Sequence, residues 1–224
     1  MTQTPPFAYP EIESAVRAAL ETAPPTHDIS HTMRVVNMCM TLGQSEGADL
    51  EILYAAALLH DISRPEADRL GRCHAEMSAG MAPAILAVAG FPEEKRDQVI
   101  HCISTHRFRG DNPPKSREAM ILYDADKLDA IGAIGVCRAY AYCGENGQRL
   151  YSSFTPGQME IPADEEPEKF TDHERHTPIH EFRQKLSRIK TRLFTESARR
   201  IAEKRHLYML KFFNRLYEEV QGIK

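Results

Sequence analysis

The chain has 224 residues, with 28 Lys and Arg against 32 Asp and Glu and a net charge of -4 at pH 7, a balance that argues against a chain-wide nucleic-acid role. Its 42% hydrophobic content suffices for a sizeable soluble core. The five Cys are odd in number and none sits in a CxxC pair, so neither a disulfide framework nor a zinc knuckle is indicated, and free thiols in a reducing compartment are expected.

The opening MTQTPPFAYP lacks the basic and apolar regions of a signal peptide, and no apolar run is long enough to span a bilayer. A cytoplasmic protein without a membrane partner is expected. Pro10 opens a first helix over 10–22, and Pro24-Pro25 lies just beyond its end. Asp28 or Ser30 caps a second helix, which carries Val35, Met38 and Leu42 at i, i+3, i+7 spacing and stops near Gly43 or Gly47. Residues 49–62 (DLEILYAAALLHDI) are nearly all apolar after the first turn, the pattern of a central buried helix, and Pro65 ends it. Further helices are predicted over about 73–89, closed by Gly90, and over 93–107. The stretch 110–117 (GDNPPKSR) is a loop, and 118–142 form one long apolar helix. Residues 144–177, rich in Gly, Pro, Ser and acidic side chains, read as a long inserted loop, and 178–221 as one or two C-terminal helices. No strand series, repeat or transmembrane segment emerges. The expectation is an all-α single domain spanning 1–224, with its core at about 25–140, an inserted loop and a C-terminal helical extension.

Helical phase sorts the candidate ligands. A metal ligand in a helical bundle projects inward, on the apolar stripe. His31 shares a stripe with Val35, Met38 and Leu42; His60 follows Leu53, Ala56 and Ala57 at i+7, i+4 and i+3; Asp61 ends the same buried helix. Asp126 lies on the line Leu122, Asp126, Asp129, Ala133, and Asp124, about 200° round a helix from it, cannot point the same way. By the same test His27 and His101 are solvated. Two imidazoles and two carboxylates facing inward suit a divalent first-row metal with positions open to water. Each residue singly also fits a buried polar network of His–Asp pairs; the four together favour the metal.

The order His, then His-Asp, then Asp, present here as HTMRVV, ALLHDISRP and DADKLDAIG, resembles the HD-domain phosphohydrolase superfamily over about residues 25–140. AIGAIGVCRAY and TESARRIAEKRHLYM extend the likeness to small bacterial HD proteins, some of whose relatives are nucleotide pyrophosphohydrolases. The resemblance implies an HD-domain helical bundle with His31, His60, Asp61 and Asp126 as the metal ligands. The metal would be Mn, Fe, Co, Ni or Zn, with Mg a further candidate. It implies that Lys127 contacts substrate phosphate, and that a nucleotide or another small phosphorylated metabolite is hydrolysed by a metal-activated water.

His74 (with Ser78, Met81 and Ile85) and His106 (with Val99 and Ile103) also face inward by periodicity. The order H…HD…H…H…D then resembles the dinuclear branches of the superfamily, which include di-iron oxygenases, so these two are either ligands of a second metal or groups beside a single one. Arg64, Arg34, Arg107 and Arg109 cluster near the site and suit bidentate phosphate recognition, Arg64 foremost because Pro65 fixes the chain beside the ligand pair. Glu66 and Asp68 either orient the water or cap the 65–72 turn. The basic stretch 183–215 reads as an amphipathic helix, with Leu186, Ile189, Leu193 and Ile201, Tyr208, Phe212 as apolar stripes that pack on the core or on a second subunit, leaving a homodimer open. Three functions remain: the phosphohydrolase, the di-iron oxygenase, and a non-catalytic regulatory module with a structural metal.

Overall fold

The computed structural model describes residues 7–108, 112–153, 159 and 176–223, and these contain helices and no strand. In chain order the helices are α1 (Pro10–Ala19), α2 (Ile29–Glu46), α3 (Leu50–Leu59), α4 (Arg64–Leu70), α5 (His74–Val88), α6 (Glu93–Thr105), α7 (Arg117–Asp129), α8 (Gly132–Glu145), α9 (Pro178–Gln184) and α10 (Glu196–Val220), with a 3₁₀ segment over Leu186–Thr191. The all-α fold expected from the sequence is what the chain adopts. Two compact units divide it, one ending at Asp126 and one beginning at Lys127, within α7.

In the first unit α3 is the axis. Asp49 caps it, its carboxylate accepting from the amides of Glu51 and Ile52 at 3.0 and 3.2 Å. Every residue from Ile52 to Leu59 is buried, and α1, α2, α5 and α6 pack around it. A helix apolar on all sides is stable only in such a setting, where each fully buried Leu or Ile contributes about 1.5–3 kcal/mol. Gly43 lets α2 approach closely: a Cβ there would meet Leu53 Cδ1 at 2.5 Å. Lys95 on α6 bonds Asp49 and Glu51 at 2.7 and 2.8 Å, tying α6 to the start of α3.

Three expectations change in this unit. The buried helix does not run to residue 62; it stops at Leu59, and Pro65 lies in the first turn of α4 instead of closing what precedes it. Proline's fixed φ suits a first helical turn as well as a stop. His101 is half-buried, and its Nε2 accepts from the Lys115 amide at 3.1 Å. Asp124 and Asp126 do not divide into outward and inward: Asp124 is fully buried, as are its neighbours Ala119, Ile121, Leu122 and Ala125, so this part of α7 has no solvent face.

In the second unit the expected long helix is two. α7 ends at Asp129 and α8 starts at Gly132, whose φ of 82° is left-handed and breaks the helix. Apolar composition reads the same whether one helix or two are present, so the break was invisible to periodicity. The Arg205 guanidinium donates to the Leu128 carbonyl at the end of α7, while its stem lies against Gly132. On α10 the buried face is Ala198, Ala202, Met209 and Phe213, not the stripe Ile201, Tyr208, Phe212. The glycines of α8 make room for large side chains on this face: Gly132 lies against the Arg205 stem and Gly135 against Met209 Sδ. Leu186, Ile189 and Leu193 are buried as expected. Most of the 144–177 loop, the acidic stretch within it and Arg109 lie outside the described residues.

Gly132→Ala sets a side chain into left-handed backbone, with its Cβ 2.9 Å from Arg205 Cγ. The expected loss is about 2 kcal/mol, read as a fall in Tm of roughly 4–8 °C by scanning calorimetry.

Candidate metal centre

The donor residues sit at helix ends or one turn from them. His31 is the third residue of α2, positioned by Asp28, whose carboxylate accepts the His31 amide at 3.1 Å. His60 follows the last residue of α3, and His106 the last residue of α6. Both solve the same local problem: the final carbonyls of a helix lack partners. The Nδ1 of His60 bonds the Ala57 carbonyl at 2.7 Å, and the Nδ1 of His106 bonds the Ile103 carbonyl at 2.6 Å. A carbonyl only accepts, so each Nδ1 carries the proton and each Nε2 is turned into the interior. Asp61 lies in the turn after α3, and His74 opens α5. Ser63 joins the two: its amide donates to Ser78 Oγ at 3.2 Å and its hydroxyl to the His74 carbonyl at 3.0 Å.

Two groups of donor atoms result, each lying within 4.8 Å: His31, His60 and Asp126, and Asp61, His74 and His106. His31 Nε2 is 3.3 Å from His60 Nε2 and 3.6 Å from Asp126 Oδ1. Asp61 divides its oxygens between the groups. Oδ2 is 3.8 Å from both His31 and His60, while Oδ1 is 3.3 Å from His74 and 3.6 Å from His106. All four His and Asp61 are buried, whereas the Asp126 side chain keeps 18% exposure.

Burial works against a charged Asp61, but His60, His106 and His74 around it hold its carboxyl well below the usual range. Burial pushes His60 down to about 4 against the pull of Asp61. Burial, with smaller contributions from Arg64, His106 and Arg107, pushes His74 down to about 4 as well. At neutral pH His60 is therefore an uncharged imidazole, and its Nε2 lone pair faces the Asp61 carboxylate at 3.8 Å. Acceptor facing acceptor in a buried site is unfavourable, and a cation between them resolves it. The donor set fits a divalent metal on that ground, with N and O ligands of borderline type.

Among the other sequence candidates, Arg64 is drawn to the site, with Nη1 3.9 Å from Asp61 Oδ2 and Nε bonded to Asp68 at 2.9 Å. Arg107 is half-buried, its Nη1 3.9 Å from Cys73 Sγ. Arg34 and Lys127 are half-buried, Lys127 being the residue after Asp126. Glu66 is exposed and its carboxylate is held by Arg69 at 2.5 and 3.0 Å, on the outer face of α4. His27, expected in solvent, is half-buried with its ring 5.7 Å from that of His31 and edge-on to it. The signal for it was present: Asp28 as the cap places His27 one turn ahead of His31. Ser63 carried no such signal, because its partners lie on a different helix.

The HD domain family model matches residues 28–131. The uncharacterized protein YpgQ of Bacillus subtilis strain 168 is 33% identical over 220 residues, which cover 95% of this chain and 94% of that one. The crystal structure of YpgQ in complex with ADP shares 30% identity at a TM-score of 0.70, covering 95% of each chain. A predicted HD-superfamily hydrolase from an uncultured Thermotogales bacterium shares 31% identity at a TM-score of 0.66, over 93% of this chain and 91% of that one. An HD-superfamily hydrolase from Bacillus thuringiensis shares 30% identity at a TM-score of 0.69, over 94% and 95%. With its buried His and Asp donors arranged as two groups around Asp61, the chain belongs to the HD-domain superfamily of hydrolases.

Proposed function

We propose that the protein is a metal-dependent phosphohydrolase acting on a nucleotide or another small phosphorylated metabolite. The observation that carries the reading is the buried Asp61 carboxylate, one oxygen toward His31 and His60 and the other toward His74 and His106. His31, His60, Asp61 and Asp126 would hold a divalent transition metal, a mixed imidazole and carboxylate set that suits Mn, Fe, Co, Ni or Zn. A metal there supplies a bound water of lowered pKa and polarises a phosphoryl oxygen. The residues do the rest. The Nδ1–H bonds of His60 and His106 fix their tautomers. Arg64 holds a guanidinium at the edge of the site, where it meets phosphate oxygens bidentately. Lys127, next to Asp126, offsets charge on the transferring phosphoryl group. The nucleotide class is supported by YpgQ, a relative crystallised with ADP.

A second ion is favoured by the same carboxylate, since Asp61, His74 and His106 form a group of their own. Metal analysis of the purified chain then gives two equivalents of a divalent transition metal, and His74→Ala or His106→Ala lowers this to one. Two equivalents of iron with O₂ consumption, and no phosphate release, would transfer the protein to the oxygenase reading.

Phosphate release from a panel of nucleoside mono- and triphosphates tests the function itself. Chelation abolishes it and Mn²⁺ restores it, while His60→Ala and Asp126→Ala lose metal and at least ~100-fold in kcat/KM. Equal, negligible metal in wild type and Asp126→Ala would make the cluster a polar core network and end the proposal.

The metal-free protein carries a pH signature. Unfolded His takes up a proton near pH 6.5, whereas folded His60 and His74 resist it until about 4. The unfolded state binds more protons in that window, so stability is full above about pH 6.5 and declines toward 4. Urea midpoints of the chelated protein should fall across this range. A flat profile would show that these rings are not held neutral.

A further inference from the structure

Phe108 is, among the described residues, the single non-glycine residue with positive φ, at 32°. A bulky side chain in that region is strained and persists only where its surroundings impose it. It is also 38% exposed, although a phenyl ring ordinarily gains by burial. Neither the backbone nor the side chain of Phe108 is therefore in its preferred state.

Two contacts tie Phe108 to the candidate metal centre. The Phe108 amide donates to the Thr105 carbonyl at 2.9 Å, in the same turn that places His106. Its ring meets that of Tyr123 at 6.2 Å and 69°, an edge-on arrangement. Tyr123 is buried and lies one turn before Asp126 on α7. The ring is thus tied to one donor group through His106 and to the other through Tyr123 and Asp126. Three consecutive residues present three chemistries: the His106 imidazole turned inward to Asp61, the half-buried Arg107 guanidinium, and the exposed Phe108 ring.

We propose that the exposed ring of Phe108 stacks on the base of a nucleotide whose phosphates are turned toward the histidine groups, which makes Phe108 a specificity-determining residue. This rests on the hydrolase reading and narrows its substrate to a base-carrying one. Stacking is tolerant of base identity, because every base has a π-face, so the ring selects nucleotides over bare phosphates and not one base over another.

The test is calorimetric titration of the Mn²⁺-loaded full chain with ADP and, separately, with inorganic pyrophosphate. Phe108→Gly removes the ring and suits the positive φ, so it spares the fold, and Phe108→Tyr keeps an aromatic face. The expected result is an ADP Kd weakened roughly 10-fold in Phe108→Gly, near wild type in Phe108→Tyr, with a much smaller change for pyrophosphate. An unchanged ADP Kd in Phe108→Gly overturns the proposal, as does an equal shift for both ligands, which would mark a ring that shapes the site without touching a base. Parallel phosphate-release assays separate this from the reading it rests on. Ring-dependent ADP binding in a protein that hydrolyses no nucleotide removes the hydrolase and keeps the stacking. Turnover and ADP binding both indifferent to the ring remove the stacking and keep the hydrolase.

Discussion

Asp61 is a carboxylate withdrawn from water and set among four imidazoles, at 3.3 to 3.8 Å from their Nε2 atoms. Burying such a charge costs several kcal/mol unless positive charge or hydrogen bonds replace the lost water. The imidazoles supply little formal charge at neutral pH, since burial holds His60 and His74 near 4. The Arg64 guanidinium at 3.9 Å is a distant and partly solvated cation. The carboxyl is nonetheless held well below the usual range by the rings around it, and it stays ionised inside the bundle. The donors are already desolvated and pointed inward, so a divalent ion entering the site would find them in place.

That arrangement constrains the helices more than the helices constrain it. A donor inside a helix is oriented by phase alone, whereas a donor at a helix end is also oriented by the carbonyls left open there. His60 and His106 use this second device in the same way, each bonding the carbonyl three residues back. The interruption of α3 after Leu59 is part of the same logic. Continued helix would carry His60 and Asp61 to faces about 100° apart, and the turn instead brings both to one point.

The sequence made the buried donors legible because they stand in strongly apolar surroundings. His60 after LYAAALL and Asp126 within ILYDADKL are polar groups where phase demands apolar ones, and such conflicts mark function. His74 and His106 were legible for the same reason, although which of them touches which carboxylate was not. Features set by contacts remote in sequence were lost. The hydroxyl of Ser63 on Ser78 and the shift of the α10 stripe by one position each depend on a neighbouring helix that periodicity does not see. The break at Gly132 was lost for a different reason: a glycine within an apolar run is compatible with helix, and only the left-handed φ, set beside Arg205, decides against it.

Exposure rises in order of chemical duty. The imidazoles and Asp61 are buried, the Asp126 side chain is 18% exposed, that of Arg64 22%, and Phe108 38%. Charges at the dry end act through a low dielectric, where orientation is fixed and each ångström counts. Groups at the wet end lie where solvent, or an incoming molecule, reaches them. A substrate with a strongly charged end and an apolar end would match that gradient in both respects. Its anionic part gains most where water is least able to screen it, and its flat apolar part gains by meeting the exposed side of the Phe108 ring, which the fold holds at a cost to its own backbone. A phosphate without a base satisfies only the first of these.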